Sequence, residues 1–198
     1  MTVLGITGPT GAGKTTLLRE VEKLGGTVID CDRVYHGMLE SDSALQERLE
    51  NAFGPLRDQS GRVDRKKLGA IVFGDPEQLA ELNGIVWQQV TDRVRSILED
   101  SRRQGAALAA VDAIALLESP LGALCQTTVA VLAPPEVRVR RVMAREGISE
   151  HYARARVEAQ RPDWYFSQNC DHTLINNFPT EGEFAQTARQ FLQEVLPK

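Results

Sequence analysis

The chain has 198 residues, 42% apolar and 25% charged, with a formal net charge of −4. This is enough material for one domain with a sizeable core, and the composition is that of a globular protein rather than a disordered or fibrous one. The negative balance argues against a protein that coats nucleic acid, and the longest apolar stretch, near Ala106 to Leu117, is broken by Asp112 and too short to span a bilayer.

Val3-Leu4-Gly5-Ile6 has the apolar run of a buried strand. It leads into Gly8-Pro9-Thr10-Gly11-Ala12-Gly13-Lys14-Thr15-Thr16, the spacing G-x-x-x-x-G-K-T of a phosphate-binding loop. Gly8, Gly11 and Gly13 let the backbone approach a ligand closely, so successive N–H groups form a concave anion nest. Lys14 supplies a point charge for the β- and γ-phosphates, and the Thr15 hydroxyl is a ligand for Mg²⁺. Leu17, Leu18, Val21 and Leu24 then recur at helical spacing, so a helix N-terminus adds its partial positive charge to the same site. Strand, glycine loop and helix are the order that binding a nucleoside triphosphate requires.

Gly25-Gly26 ends that helix, and Thr27-Val28-Ile29 predicts a second strand ending at Asp30-Cys31-Asp32. Ligands of open parallel sheets bind beyond the carboxyl ends of strands. On an extended strand Asp30 and Asp32 would share one side, one accepting a proton from an attacking hydroxyl and the other fixing the substrate or a metal-bound water. The competing reading is that one of them caps the next helix.

No strand is predicted for Tyr35 to about Arg103. Ser43-x-x-Gln46 reads as a capping box opening a helix stopped by Gly54-Pro55; Arg57 to Val63 is a polar loop; Asp64 to Phe73 is helical. Asp75-Pro76 starts a long amphipathic helix carrying Trp87 and ending near Gly105. A crossover between strands needs only a dozen or so residues, so this stretch reads as a helical insertion that binds the acceptor.

Ala106 to Val111 predicts a third strand ending at Asp112, which is placed to hold Mg²⁺ through water. Thr127 to Ala133 predicts a fourth. The helix after Pro134-Pro135 carries Arg138, Arg141 and Arg145 on one face and Arg140 about 100° away. Ser149 caps a second arginine-bearing helix that ends at Gln160-Arg161-Pro162. Arg favours bidentate contact with phosphate, so this pair reads as a lid over the transferring group. His172 to Ile175 predicts a fifth strand ending at Asn176-Asn177, amides that read an adenine edge or, more in keeping with turn chemistry, cap the loop. Thr180-x-x-Glu183 is a capping box for the last helix. Cys31, Cys125 and Cys170 are scattered and suit buried thiols in a reducing compartment. With no cationic leader before the first strand, the expected location is the cytoplasm.

Together these stretches resemble the dephospho-coenzyme A kinase family along nearly the whole chain. Gly8 to Thr16 is similar to its phosphate loop, and Val28-Ile29-Asp30-Cys31-Asp32 to its Asp-x-Asp strand end. Val111 to Ser119 is similar to its D-x-P-L-L-x-E segment, with Ile114 where the family has Pro, and Asn176-Asn177 to its adenine loop. Val137 to Arg141, with Arg154-Ala155-Arg156 and Ala159-Gln160, resembles its lid. After Leu82-Asn83 the family has His-Pro where this chain has Trp87-Gln88.

The resemblance implies an α/β fold of the P-loop NTPase type, a three-layer sandwich with about five parallel strands. It implies a single kinase domain with a core (1–34, 104–135, 171–198), an acceptor insertion (35–103) and a lid (136–170). The implied reaction moves the γ-phosphoryl of ATP, with Mg²⁺, to the ribose 3′-hydroxyl of dephospho-coenzyme A. Asp32 would be the base, with Lys14 and Arg140 stabilising phosphate charge. Gly8, Gly11, Ala12, Gly13, Thr15, Thr16, Arg140, Asn176 and Asn177 would bind nucleotide, Thr15 and Asp112 the metal, and Asp30, Asp32, Leu116 and Trp87 the acceptor. A monomer or weak homo-oligomer is expected. The rival readings are another small-molecule P-loop kinase acting on a nucleoside, nucleotide or sugar acid, and an NTP-dependent switch or ATPase, for which no guanine-reading N-K-x-D motif is present.

Overall fold

The computed structural model describes residues 1–196. Two compact units divide the chain: Met1–Ile29 with Glu99–Lys198, and Asp30–Leu98.

The first unit is built on a five-stranded sheet of β1 (Thr2–Thr7), β2 (Thr27–Asp30), β3 (Leu108–Asp112), β4 (Thr127–Leu132) and β5 (His172–Ile175), in the order β2-β3-β1-β4-β5. The central strand β1 pairs in parallel with β3 and β4, and β4 with β5. Side chains of a strand alternate between faces, and β4 uses both. Val129 and Val131 join Leu4, Ile6, Leu17, Val21, Phe184, Ala188 and Leu192 in the main core, under α1 (Lys14–Lys23) and α9 (Glu181–Val195). Ala130 and Leu132 turn the other way and meet Phe166 of α8 (Asp163–Asn169). Helices on both faces make the three layers. Each such Leu, Val or Phe contributes roughly 1.5–3 kcal/mol on burial, which anchors the strand ends where the phosphate loop begins.

The second unit holds α2 (Cys31–Ser41), α3 (Ser43–Phe53), α4 (Arg65–Val72) and most of α5 (Pro76–Arg103). Aspartates start all four of these helices, Asp30 of α2 accepting from Arg33 N–H. Asp42 accepts from Leu45 N–H, Asp64 from Lys66 and Lys67 N–H, and Asp75 from Glu77 and Gln78 N–H. The expected capping box at Ser43 is therefore displaced by one residue: Asp42 is the cap, and Gln46 is buried and donates to the Leu39 carbonyl at 2.8 Å. Arg57 and Val63 form an antiparallel bridge that closes the polar loop between α3 and α4.

Helices α6 (Pro135–Glu146) and α7 (Glu150–Glu158) follow the predicted pair of arginine-bearing helices. Helix α8 has no counterpart in the sequence reading. It is only seven residues long, follows Pro162 and shows one fully buried apolar residue, Phe166, too little to display a period. Among the described residues no helix is long and apolar enough to cross a membrane.

Candidate active site

The phosphate loop lies between β1 and α1, both in the first unit. Gly8 has φ +132, and a Cβ there would come within 2.2 Å of the Val131 carbonyl oxygen of β4. Gly13 has φ +105, and a Cβ there would come within 2.2 Å of Asn176 Nδ2. Both positions need glycine for conformation and for space.

The outer side of the loop is tied down by its carbonyl groups. Asn176, 3% exposed at the end of β5, donates its amide to Ala12 O at 2.8 Å. Arg141 of α6 donates Nη1 to Gly11 O and Ala12 O, each at 3.3 Å, and Nη2 to Asn176 Oδ1 at 3.1 Å. Burial, followed by the neighbouring charge of Arg140, pulls the Arg141 guanidinium below its ordinary pKa. Arg145 reaches Thr10 Oγ1 at 3.3 Å, and Gln160 accepts from Thr10 N–H at 2.8 Å. Carbonyls 11 and 12 are thus held by side chains, while the N–H groups of Thr10 and Ala12 go to Gln160 and to the Pro9 carbonyl.

Lys14 Nζ donates to Gly8 O at 2.9 Å, which folds the ammonium back over the loop. Thr15 is exposed at the start of α1, whereas Thr16 is buried and donates to Glu181 Oε1 at 3.4 Å. Asp112 stands in register with Ile6, so its side chain leaves the sheet beside the start of the loop. Thr15 and Asp112 carry hard oxygen donors, the donor type Mg²⁺ takes when it also keeps water and phosphate oxygens.

Arg140 lies on the exposed face of α6. The polar contacts to the loop come from Arg141 and Arg145, which share the other face as the i, i+4 spacing requires. Arg138 on that face is 5% exposed and sits 3.7 Å from Asp163. Arg154 pairs with Glu136 through two hydrogen bonds, at 2.7 and 3.0 Å, and joins α7 to α6. Gln160, Arg141 and Arg145 were legible as lid residues. Their role as clamps on the loop, Arg141 on its carbonyls and Gln160 and Arg145 on Thr10, was not, because helix phase relative to the loop is a tertiary fact.

Asn177 is exposed beside Asn176. Leu116 is 0% exposed, and its Cδ2 would lie 2.9 Å from a Cβ on Gly5. It packs beneath β1 and offers no surface to a ligand, which corrects its reading as an acceptor contact.

In the second unit, Asp30 is the N-cap of α2, its carboxylate accepting from Arg33 N–H at 2.9 Å. Asp32 lies in the first turn of α2 and is exposed. The two carboxylates therefore do not share a strand side. The chain turns helical at Cys31, so Asp30 serves the backbone and Asp32 is the one that projects. Trp87 is half-buried on α5. The cysteines form no disulfide among the described residues; Cys31 is buried, while Cys125 and Cys170 are half-buried, which corrects the uniform expectation. Burial pushes Cys125 up to about 12.

A family model described as dephospho-CoA kinase matches residues 2–181. A dephospho-CoA kinase of Dehalococcoides mccartyi is 34% identical over 164 residues, 82% of each chain. One of Corynebacterium diphtheriae is 31% identical over 194 residues, 98% of this chain and 96% of that one. The crystal structure of TT1252 from Thermus thermophilus superposes with a TM-score of 0.78 at 31% identity, covering 99% of this chain and 98% of that one. A P-loop core with clamped carbonyls and a sequence match along nearly the entire chain lead to one conclusion: the chain belongs to the dephospho-CoA kinase family of kinases.

Proposed function

We propose that this protein transfers the γ-phosphoryl group of ATP to the ribose 3′-hydroxyl of dephospho-coenzyme A. The observation that carries the reading is the phosphate loop, with its carbonyls held outward by Arg141 and Asn176, in a chain matched to the family from residue 2 to 181.

The hydroxyl oxygen attacks the γ-phosphorus, the bond to the β,γ-bridging oxygen breaks, and ADP leaves. The hydroxyl proton passes to Asp32, whose place in the first turn of α2 leaves its carboxylate exposed to an acceptor. The loop N–H groups and Lys14 bind the β- and γ-phosphates and neutralise charge as it shifts to the leaving group. Asn177 and Asn176 border the adenine side of the loop. Arg140, exposed on α6, is the lid cation free to swing toward the phosphates. Thr15 and Asp112 are the residues that would hold Mg²⁺, which when bound would shield the phosphate charge. Residues 35–103 form the acceptor unit, with Trp87 and Asp30 as part of its surface, and residues 136–170 the lid; closure excludes water and limits wasteful hydrolysis. The enzyme works in the cytoplasm as a monomer or weak homo-oligomer.

Product analysis tests the assignment. Incubation with ATP and dephospho-coenzyme A should yield a product with a phosphorus resonance coupled to the ribose 3′ proton. Phosphorylation of a nucleoside, nucleotide or sugar acid in preference to dephospho-coenzyme A would transfer the site to another acceptor.

A further inference from the structure

After α7 the chain runs back to the sheet through Gln160-Arg161-Pro162-Asp163. This short return lies in the first unit, as do all the groups it meets. Its polar side chains go to different elements. Gln160 Oε1 accepts from Thr10 N–H of the phosphate loop at 2.8 Å. Arg161 holds its guanidinium 5.1 Å above the Tyr165 ring and its Nε 3.9 Å from Glu118, in the segment that follows Asp112. Asp163 Oδ1 faces Arg138 Nη2 of α6 at 3.7 Å.

The return is stiff. Pro162 fixes its own φ, at −68, and narrows the backbone choices of Arg161 before it. Arg138 is buried, and its Nε and Nη1 have no hydrogen-bond partner among the described residues. Its attraction to Asp163 therefore acts in a dry setting, where charges are felt more strongly than at a surface. The backbone of α6 also touches the loop: a Cβ on Gly11, at φ +76, would come within 2.8 Å of the Arg138 carbonyl oxygen. The start of α6, the return and the loop thus converge around Thr10 and Gly11.

Thr10 sits at the γ end of the loop. Lys14 Nζ reaches back to Gly8 O at 2.9 Å, and in a loop of this spacing the lysine serves the β- and γ-phosphates. Arg141 and Asn176 hold carbonyls 11 and 12, further along. The backbone at Thr10 is set instead from the return, by Gln160 on its N–H.

We propose that Gln160 is a positioning residue for phosphoryl transfer: through the Thr10 N–H it fixes the γ end of the phosphate loop, with Arg161 and Asp163 bracing the return behind it. The inference rests on the phosphoryl-transfer reading above but not on the identity of the acceptor. Alignment is most of what this reaction asks of a protein, and a misplacement of about 1 Å can cost roughly 10²-fold in rate.

Three measurements test it. Gln160→Leu removes the acceptor oxygen at similar size. With dephospho-coenzyme A as acceptor it should lower kcat about tenfold, while KM for ATP stays within about threefold. Its Tm should stay within about 2 °C, since Thr10 and Gln160 are only partly buried and water can take over the bond. Gln160→Glu keeps an oxygen for the Thr10 N–H and should return kcat to within about threefold of the parent, with KM for ATP raised by the added negative charge. Phosphorus spectra of bound adenylyl imidodiphosphate with Mg²⁺ read the geometry without turnover or acceptor. In Gln160→Leu the γ resonance should shift and the α resonance should not.

A fall in Tm with kcat unchanged would make Gln160 a structural tie and overturn the proposal. Equal kcat losses in Gln160→Leu and Gln160→Glu, or a γ resonance identical to that of the parent, would overturn it as well. A parent protein that ignores dephospho-coenzyme A removes the acceptor assignment alone, and the phosphorus spectra then decide the role of Gln160.

Discussion

Arg141 and Asn176 meet on the outer edge of the phosphate loop, Nη2 to Oδ1 at 3.1 Å, and both donate to the carbonyl of Ala12. The pair comes from α6 and the end of β5, elements far apart in the chain, and locks one turn of loop backbone between them.

Arg141→Ala removes the charge-assisted bonds to carbonyls 11 and 12. A net loss of about 2 kcal/mol is expected, which for a chain of this size lowers Tm by about 4–8 °C. KM for ATP rises with it. Arg140→Ala behaves in the opposite manner: kcat falls while Tm holds, since Arg140 is exposed. Thermal melts and steady-state kinetics on the two variants separate a clamp from a lid cation. Arg140→Ala that loses only stability would make Arg140 a structural residue.

Asn176→Asp keeps an acceptor for Arg141 but loses the N–H that reaches Ala12 O. It also brings a carboxylate toward a loop built for anions. ATP affinity should fall more than in Asn176→Ala, and fluorescence titration with a nucleotide analogue reads the order. Equal losses would mean that the amide donor is what counts and added charge is not.

Gly13→Ala places a methyl group 2.2 Å from Asn176 Nδ2 at φ +105. Backbone strain alone costs about 1–3 kcal/mol, and the Asn176 bond must break in addition. Denaturant unfolding should show the loss with an unchanged m-value. A variant as stable as the parent would mean that the loop can relax around the methyl.

Asp32→Asn should lower kcat by about 10²–10⁴, the range of general base catalysis, with KM for ATP held. Asp30→Ala should do something different. It removes the acceptor for Arg33 N–H and costs roughly 0.5–2 kcal/mol of α2 stability as a lost N-cap. Near-parental kcat in Asp32→Asn would remove it as the base.

Glu20 is 2% exposed, and its carboxylate is held by Lys23 at 2.6 Å and Arg189 at 3.1 Å. The Lys23 hydrogen bond outweighs burial, and Arg189 adds to it, so the carboxyl is depressed below its ordinary value of 4.5. A depressed acid stabilises the fold above its unfolded pKa, about 4.3, and the contribution is lost as pH falls through the lower folded value. Glu20→Gln should therefore be less stable than the parent at pH 7, with the gap closing under acid. Melting curves across pH 3 to 7 check the sign; a gap that widens in acid would contradict it.

The phosphate loop was legible because its chemistry is local: glycines, lysine and threonine act through backbone only a few residues away. The α9 capping box at Thr180 and Glu183 was legible for the same reason. The clamp was not, since an i, i+3, i+7 arginine face tells which side chains travel together but not what they meet. Asp30 and Asp32 were seen together, yet the turn from strand to helix at Cys31 separates their roles. Leu116 looked like part of a ligand segment, and only the packing beneath Gly5 shows it to be core.

The most direct measurement of the central claim is ADP release by the purified protein with ATP and Mg²⁺, with and without dephospho-coenzyme A. ADP should form rapidly only when the acceptor is present, in equal amount to coenzyme A. Steady ADP release that dephospho-coenzyme A does not change would contradict the account and leave an ATPase in place of a kinase.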